Sequence, residues 1–183
     1  MNDIFITSDT HFNHGGMLRE TGPLARRVAF SSVPEMDEAL IDGINAVVGK
    51  KDTLYHLGDF CWQAGRAGHY RQRLNVRHLL VTQGNHDASS LRKHVSQMEL
   101  MLFPKLRGRN FHLCHYPLCS WRKREHGGIH LYGHSHGKAE DTLNELWPDR
   151  MAMDVTVDHI HRLTGQWRPL HIDEVIGYLE MHR

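Results

Sequence analysis

Four short clusters of carboxylate, imidazole and amide side chains, each closing an apolar run, are spread from Asp9 to His136. They are Asp9-Thr10-His11, Gly58-Asp59, Gly84-Asn85-His86-Asp87 and Gly133-His134-Ser135-His136, with His115 between the last two. Such groups act together only if the chain gathers several strand ends at one place, as α/β folds do. A donor set that mixes carboxylate, imidazole and amide and shares one member suits a pair of borderline divalent metals, and points to two-metal hydrolysis.

Composition narrows the rest. The 183 residues suit one domain, 1–183, and a domain of this size buries roughly 70% of the surface its unfolded chain exposes. The 22 Lys and Arg nearly balance the 21 Asp and Glu, so no extended nucleic-acid groove is expected and a small anionic substrate fits better. No apolar run approaches the ~20 residues of a membrane span, and Met1-Asn2-Asp3-Ile4 lacks the basic and apolar parts of a signal peptide. A cytoplasmic protein without membrane contact is expected, of an oligomeric state that sequence does not give. Cys61, Cys114 and Cys119 are odd in number and lack CxxC spacing, so reduced, mostly buried thiols are expected. Histidine is the outlier, at 17 residues. At that abundance about one or two His-x-His pairs arise by chance, and His159-Ile160-His161 has the spacing of His134-Ser135-His136 without its glycine.

The apolar pattern orders these clusters. Ile4 to Thr7, Thr53 to Leu57 and His78 to Thr82 read as strands, each ending at a cluster. Helical spacing over Glu35 to Val48 predicts a helix with Gly49 as its C-cap, and a basic helix is predicted from about Gly65 to Asn75. Asp87 reads as a possible N-cap for a helix over Ala88 to Ser96. Later, Leu100 to Phe103 and Asn110 to Cys114 read as β-runs joined by a hairpin turn. Ile129 to Tyr132 and Met151 to Val157 read as further strands, and Asp173 as the cap of a closing helix. Parallel units followed by hairpins predict a sheet-rich α/β sandwich. Gly58, Gly84 and Gly133 predict tight turns where the backbone passes close to a bound ion or phosphate.

Taken in order, the pattern D-x-H, G-D, G-N-H-[DE], H and G-H-x-H resembles the calcineurin-like metallophosphoesterases, over about the first three quarters of the chain. The wording around Ser8 to His14, Leu57 to Phe60 and His115 to Leu118 is similar to a compact bacterial and phage subgroup. Together with the strand placement, the resemblance implies a four-layer α/β/β/α sandwich, two mixed β-sheets flanked by helices. The resemblance implies that Asp9, His11 and His136 hold one metal, that Asn85, His115 and His134 hold the other, and that Asp59 bridges them. Two cations ~3.5–4 Å apart need a shared carboxylate and hydroxide between them, and the donors favour Mn, Fe, Co, Ni or Zn, with Mn the first choice. The resemblance further implies that the hydroxide attacks a small phosphodiester or phosphomonoester, that Asn85 helps stabilise the developing charge, and that His86 protonates the leaving oxygen, oriented by Asp87. A diester of nucleotide type is the leading expectation. The alternatives are a nuclease for short or single-stranded nucleic acid and a non-catalytic metal-binding scaffold.

Weaker features carry weaker expectations. His14 could contact substrate, support a ligand or sit in a surface loop. Arg122, in a basic loop beyond His115, could clamp a phosphate. His56 reads as a hydrogen-bonded core histidine, and Arg66, Arg71, Arg73 and Arg77 as an exposed helix face. Trp62 and Trp121 could stack a base, although packing is the commoner use of tryptophan. Asp154, Asp158, His159 and His161 read as structural.

Overall fold

The computed structural model describes residues 2–19 and 27–182. Among these, in chain order, run β1 (Ile4–Thr7), α1 (Val33–Val47), β2 (Thr53–His56), α2 (Ala67–Arg73), β3 (His78–Thr82), β4 (Gln97–Glu99), β5 (Met101–Leu102), β6 (Lys105–Leu106) and β7 (Arg109–Cys114). They are followed by β8 (Ile129–Tyr132), α3 (Glu140–Leu146), β9 (Ala152–Asp154), α4 (Val157–Thr164), β10 (Leu170–His171) and α5 (Ile172–Met181).

Two mixed sheets form. The first has the order β10-β1-β2-β3-β4, parallel except for β10 against β1. The second runs β5-β7-β8-β9, with β7, β8 and β9 parallel and with β5 and β6 antiparallel to β7. Side-chain alternation along each strand then separates the layers. Phe5, Leu54 and Leu79 face a core shared with Met36, Leu40 and Ile44 of α1. Their neighbours Ile6 and Tyr55 turn to the other face and meet Leu113, Leu131 and Met153 of the second sheet. Tyr132 and Ala152 point outward again, towards Leu143 of α3. Helices therefore flank two facing sheets, as predicted. Among the described residues no helix is long and apolar enough to cross a membrane.

Local chemistry moved several boundaries. Helix α1 starts at Val33 because Ser32 accepts from Glu35 N and Pro34 suits the first turn. Its end is an extended Val48 rather than a glycine cap; Gly49 N–H donates to Asp52 instead. No α-helix follows Asp87, whose carboxylate is engaged elsewhere; a 3₁₀ turn, Ser89–Lys93, leads into β4. The predicted strand from Met151 stops at Asp154, because Thr156 caps α4 by accepting from His159 N. Here β-branched Val155 and Val157 mimic a strand. The closing helix is capped by His171 with Glu174 in a capping box, which displaces Asp173 into the first turn. Helix α3 was not predicted; its buried Glu140 accepts from Tyr132 Oη and Arg150 and so has no apolar signature.

Candidate metal centre

Every cluster lies just beyond a strand: Asp9 after β1, Asp59 after β2, Asn85 after β3, His115 after β7 and His134 after β8. Among the described residues eight non-glycine positions have left-handed backbone, and five of them are Asp9, His11, Asp59, His134 and His136, with φ of 56°, 47°, 55°, 67° and 50°. Such conformations cost of order 1–3 kcal/mol each and persist where the surroundings impose them, which marks functional sites.

The imposed geometry makes two groups of donors. Asp9 Oδ1 lies 3.6 Å from His11 Nε2 and 3.5 Å from His136 Nε2. Asn85 Oδ1 lies 3.0 Å from both His115 Nε2 and His134 Nδ1. Asp59 Oδ2 sits between the groups, 3.6 Å from His11 Nε2 and 3.5 Å from His115 Nε2. Two donors each about 2.1 Å from a common ion would stand roughly 3.0–3.4 Å apart, close to these spacings.

A test of fit comes from the atoms themselves. Asp9 Oδ2 accepts from Ser8 Oγ and from His134 N at 3.0 Å, whereas buried Asp9 Oδ1 has no hydrogen-bond partner. An orphaned carboxylate oxygen between imidazoles is costly unless a cation meets it. His115 Nδ1 donates to Leu57 O at 2.8 Å and His136 Nδ1 to Asp158 Oδ2 at 2.7 Å. These bonds leave each Nε2 lone pair facing the site, the tautomer a metal requires.

Electrostatics agrees. Burial alone would raise the Asp9 carboxyl, but His11, His136 and His115 outweigh it and hold it well below the usual carboxylate range. Asp59 is lowered too, since its bond to His115 outweighs burial. Burial would depress His115, yet the two carboxylates raise it to about 9. The paired carboxylates thus draw positive charge, as protons or as metal ions.

Three buried polar residues brace the site. Arg27, fully buried, donates to Asp9 O and Thr10 O at 2.6 Å and bidentately to Asp158 at 3.0 Å. Asp158, read from sequence as structural only, therefore orients His136 from behind. Asp87 accepts from Asp59 N, Phe60 N and Gly84 N at 2.7, 2.9 and 2.9 Å. It ties the second cluster to the third and is bonded neither to a helix end nor to the His86 ring, against both readings. The glycines serve this crowding. A Cβ on Gly84 would stand 2.2 Å from Asp59 Oδ1, and one on Gly133 2.2 Å from Asp9 Oδ2. Both therefore permit approach to a neighbouring carboxylate.

Above the donors opens a cavity of about 580 Å³ lined by His11, Asp59, Asn85, His134 and His136 together with His86, His14, Trp62 and Lys138. His86 N donates to Asp59 Oδ1 at 2.8 Å, which places the exposed ring at the cavity mouth. His14 is buried and stacked on Trp62, so the surface-loop reading fails. Arg122 is not at this cavity; it lines a separate cleft with Phe103, Asn110 and His112, so the phosphate-clamp reading is withdrawn. Among the described residues Lys138 is the cation that lines the site, unnoticed in sequence because it follows the last cluster without a motif of its own. Of the tryptophans, Trp121 is packed as expected, whereas Trp62 is 41% exposed. His56 is a core histidine bonded to Thr10 Oγ1 at 3.0 Å, which passes its own proton to Phe60 O. Cys61 and Cys114 are buried and Cys119 exposed, all three unpaired.

Known proteins resemble this chain in sequence and in fold. No protein-family model matches it. An uncharacterised protein of Methanocaldococcus jannaschii is 29% identical over 182 residues, 98% of this chain and 93% of that relative. The crystal structure of AQ665, a protein of unknown function from Aquifex aeolicus, superposes with a TM-score of 0.75 at 21% identity, covering 97% of this chain and all of that one. The fold is therefore shared across that whole length. An archaeal phosphodiesterase superposes with a TM-score of only 0.42 at 18% identity over 72% of each chain, too distant to bear on function.

Proposed function

We propose that this chain hydrolyses small phosphoesters at a dinuclear metal centre, with Asp9, His11 and His136 holding one ion, Asn85, His115 and His134 the other, and Asp59 shared. The position of Asp59 Oδ2, 3.6 Å from His11 Nε2 and 3.5 Å from His115 Nε2, carries this reading. A single oxygen between two donor groups is what a bridging carboxylate requires. Imidazole and amide donors with two carboxylates suit Mn, Fe, Co, Ni or Zn, Mn being the first to try. When bound, such ions supply an activated water and neutralise charge on the phosphoryl oxygens.

The chain's own groups do the rest. Asp158, Arg27 and Leu57 O hold the ligands in the geometry needed before substrate arrives. His86 is carried by the bond from its amide to Asp59, so its imidazole stands beside the donors and can give a proton to the leaving oxygen. A cavity of about 580 Å³ suits a small substrate. A diester is favoured over a monoester, in keeping with the balanced surface charge.

The test is turnover of an activated phosphodiester beside the matching monoester, by metal-stripped protein reloaded with manganese. Diester cleavage should fall roughly a thousandfold in Asp59→Asn. Monoester cleavage alone would revise the reading to a phosphatase, and no turnover of either by metal-loaded protein would refute it.

A further inference from the structure

Trp62 lies at the cavity in an unusual state. Its amide donates to Phe12 O at 3.0 Å, fixing the backbone, and the His14 ring lies parallel to the indole, centroids 3.7 Å apart and planes 5° from coincidence. One π-face is thus covered and the ring plane is set in advance. The side chain is nevertheless 41% exposed, and among the described residues it is the only exposed large apolar side chain that lines this cavity. The His86 ring lies 4.6 Å from the indole, tilted 49° to it, and is itself 5.7 Å from the His11 ring. His86 and His14 are thus both ring neighbours of His11 and of Trp62.

We propose that the exposed surface of the Trp62 indole stacks a nucleobase on the leaving-group side, so that the substrate class is a nucleoside phosphoester. This rests on the hydrolase reading above, which places the leaving oxygen at His86. A planar group attached to that oxygen's alcohol reaches the indole next. Held by His14, the indole need not be ordered on binding, which preserves the stacking energy. Such stacking tolerates any base, because every base offers a π-face.

Calorimetric titration of manganese-loaded protein with the hydrolysis-resistant phosphonate analogues of adenosine monophosphate and of ribose phosphate tests this. Their phosphonate groups carry the same charge, so the ratio of their affinities isolates the base. The expected ratio is on the order of tenfold or more in favour of the adenosine compound. In Trp62→Leu it should fall to about one, and in Trp62→Phe it should keep an intermediate value. Equal affinities in the unaltered protein, or a ratio that survives Trp62→Leu, would overturn the stacking proposal and leave the hydrolase reading standing. Binding of neither compound would overturn both.

Discussion

His134-Ser135-His136 and His159-Ile160-His161 share a spacing and nothing else. The first pair follows β8 through a glycine, both residues have positive φ, and both rings turn towards the carboxylate and amide oxygens of other loops. The second pair lies on α4, where His159 is buried beneath Gly137 and His161 stacks on Trp167 with centroids 4.0 Å apart. Backbone conformation, then, decides which histidines can converge on an ion. The two regions are also joined: Asp158, one residue before the second pair, holds His136 of the first, and a Cβ on Gly137 would stand 2.8 Å from His159 Nδ1. The helical pair is a buttress for the loop pair.

The severest way to break that relation is Arg27→Met. It leaves Asp158 buried without its cation and frees two carbonyls, which should cost about 3–5 kcal/mol in denaturant unfolding. A cost below ~1 kcal/mol would mean that the buttress does not depend on this ion pair. Next, Asp158→Asn should weaken metal binding about 10- to 100-fold, since His136 loses the carboxylate that fixes its tautomer. Equilibrium dialysis against manganese reads this, and an unchanged affinity would separate the two regions.

A smaller effect is expected with pH. Burial pushes the His159 imidazole down to about 4 from an ordinary 6.5, and Arg162 donates to its Nδ1. Above pH 6.5 both folded and unfolded chains are neutral at this site and its full stability is present. As pH falls from 6.5 towards 4 the unfolded chain binds the proton first, so stability declines by roughly 1.4 kcal/mol per unit. His159→Gln should flatten the fall in melting temperature between pH 7 and 5, and an identical slope would show that other groups govern it. The smallest change is His161→Ala. Loss of its stack on Trp167 should cost at most about 1.5 kcal/mol and leave dialysis results unaltered; altered metal affinity would contradict a purely helical role.

Much of this was legible in the sequence, for identifiable reasons. Strands β1, β2 and β3 are short apolar runs closed by Ser8-Asp9, Gly58-Asp59 and Gln83-Gly84, so the pattern locates both the strand and the site at its end. Asp9, Asp59 and Asn85 follow from that placement, whereas the choice of His11, His115, His134 and His136 from 17 histidines rests on the family resemblance. Arg27 and Asp158 were hidden because their partnership spans 131 positions and uses backbone carbonyls, which leave no residue signature. Asp87 was misread because its acidic side chain before Ala88 looks like a helix cap, while its acceptors were claimed by the amides of Asp59 and Phe60 and of Gly84 in its own turn. The strand from Met151 was carried past Asp154 to Val157 because Val155 and Val157 outweigh a capping signal only visible once Thr156 bonds His159 N. The exposure of Trp62 is set by the parallel ring of His14, a contact between two separate loops.

The most direct measurement is the number of manganese ions bound per chain, by elemental analysis after dialysis, in the unaltered protein and in Asp59→Asn. The account predicts two ions per chain in the first, and one or none once the shared carboxylate oxygen is lost. A single ion in the unaltered protein, or two that persist in Asp59→Asn, would contradict it.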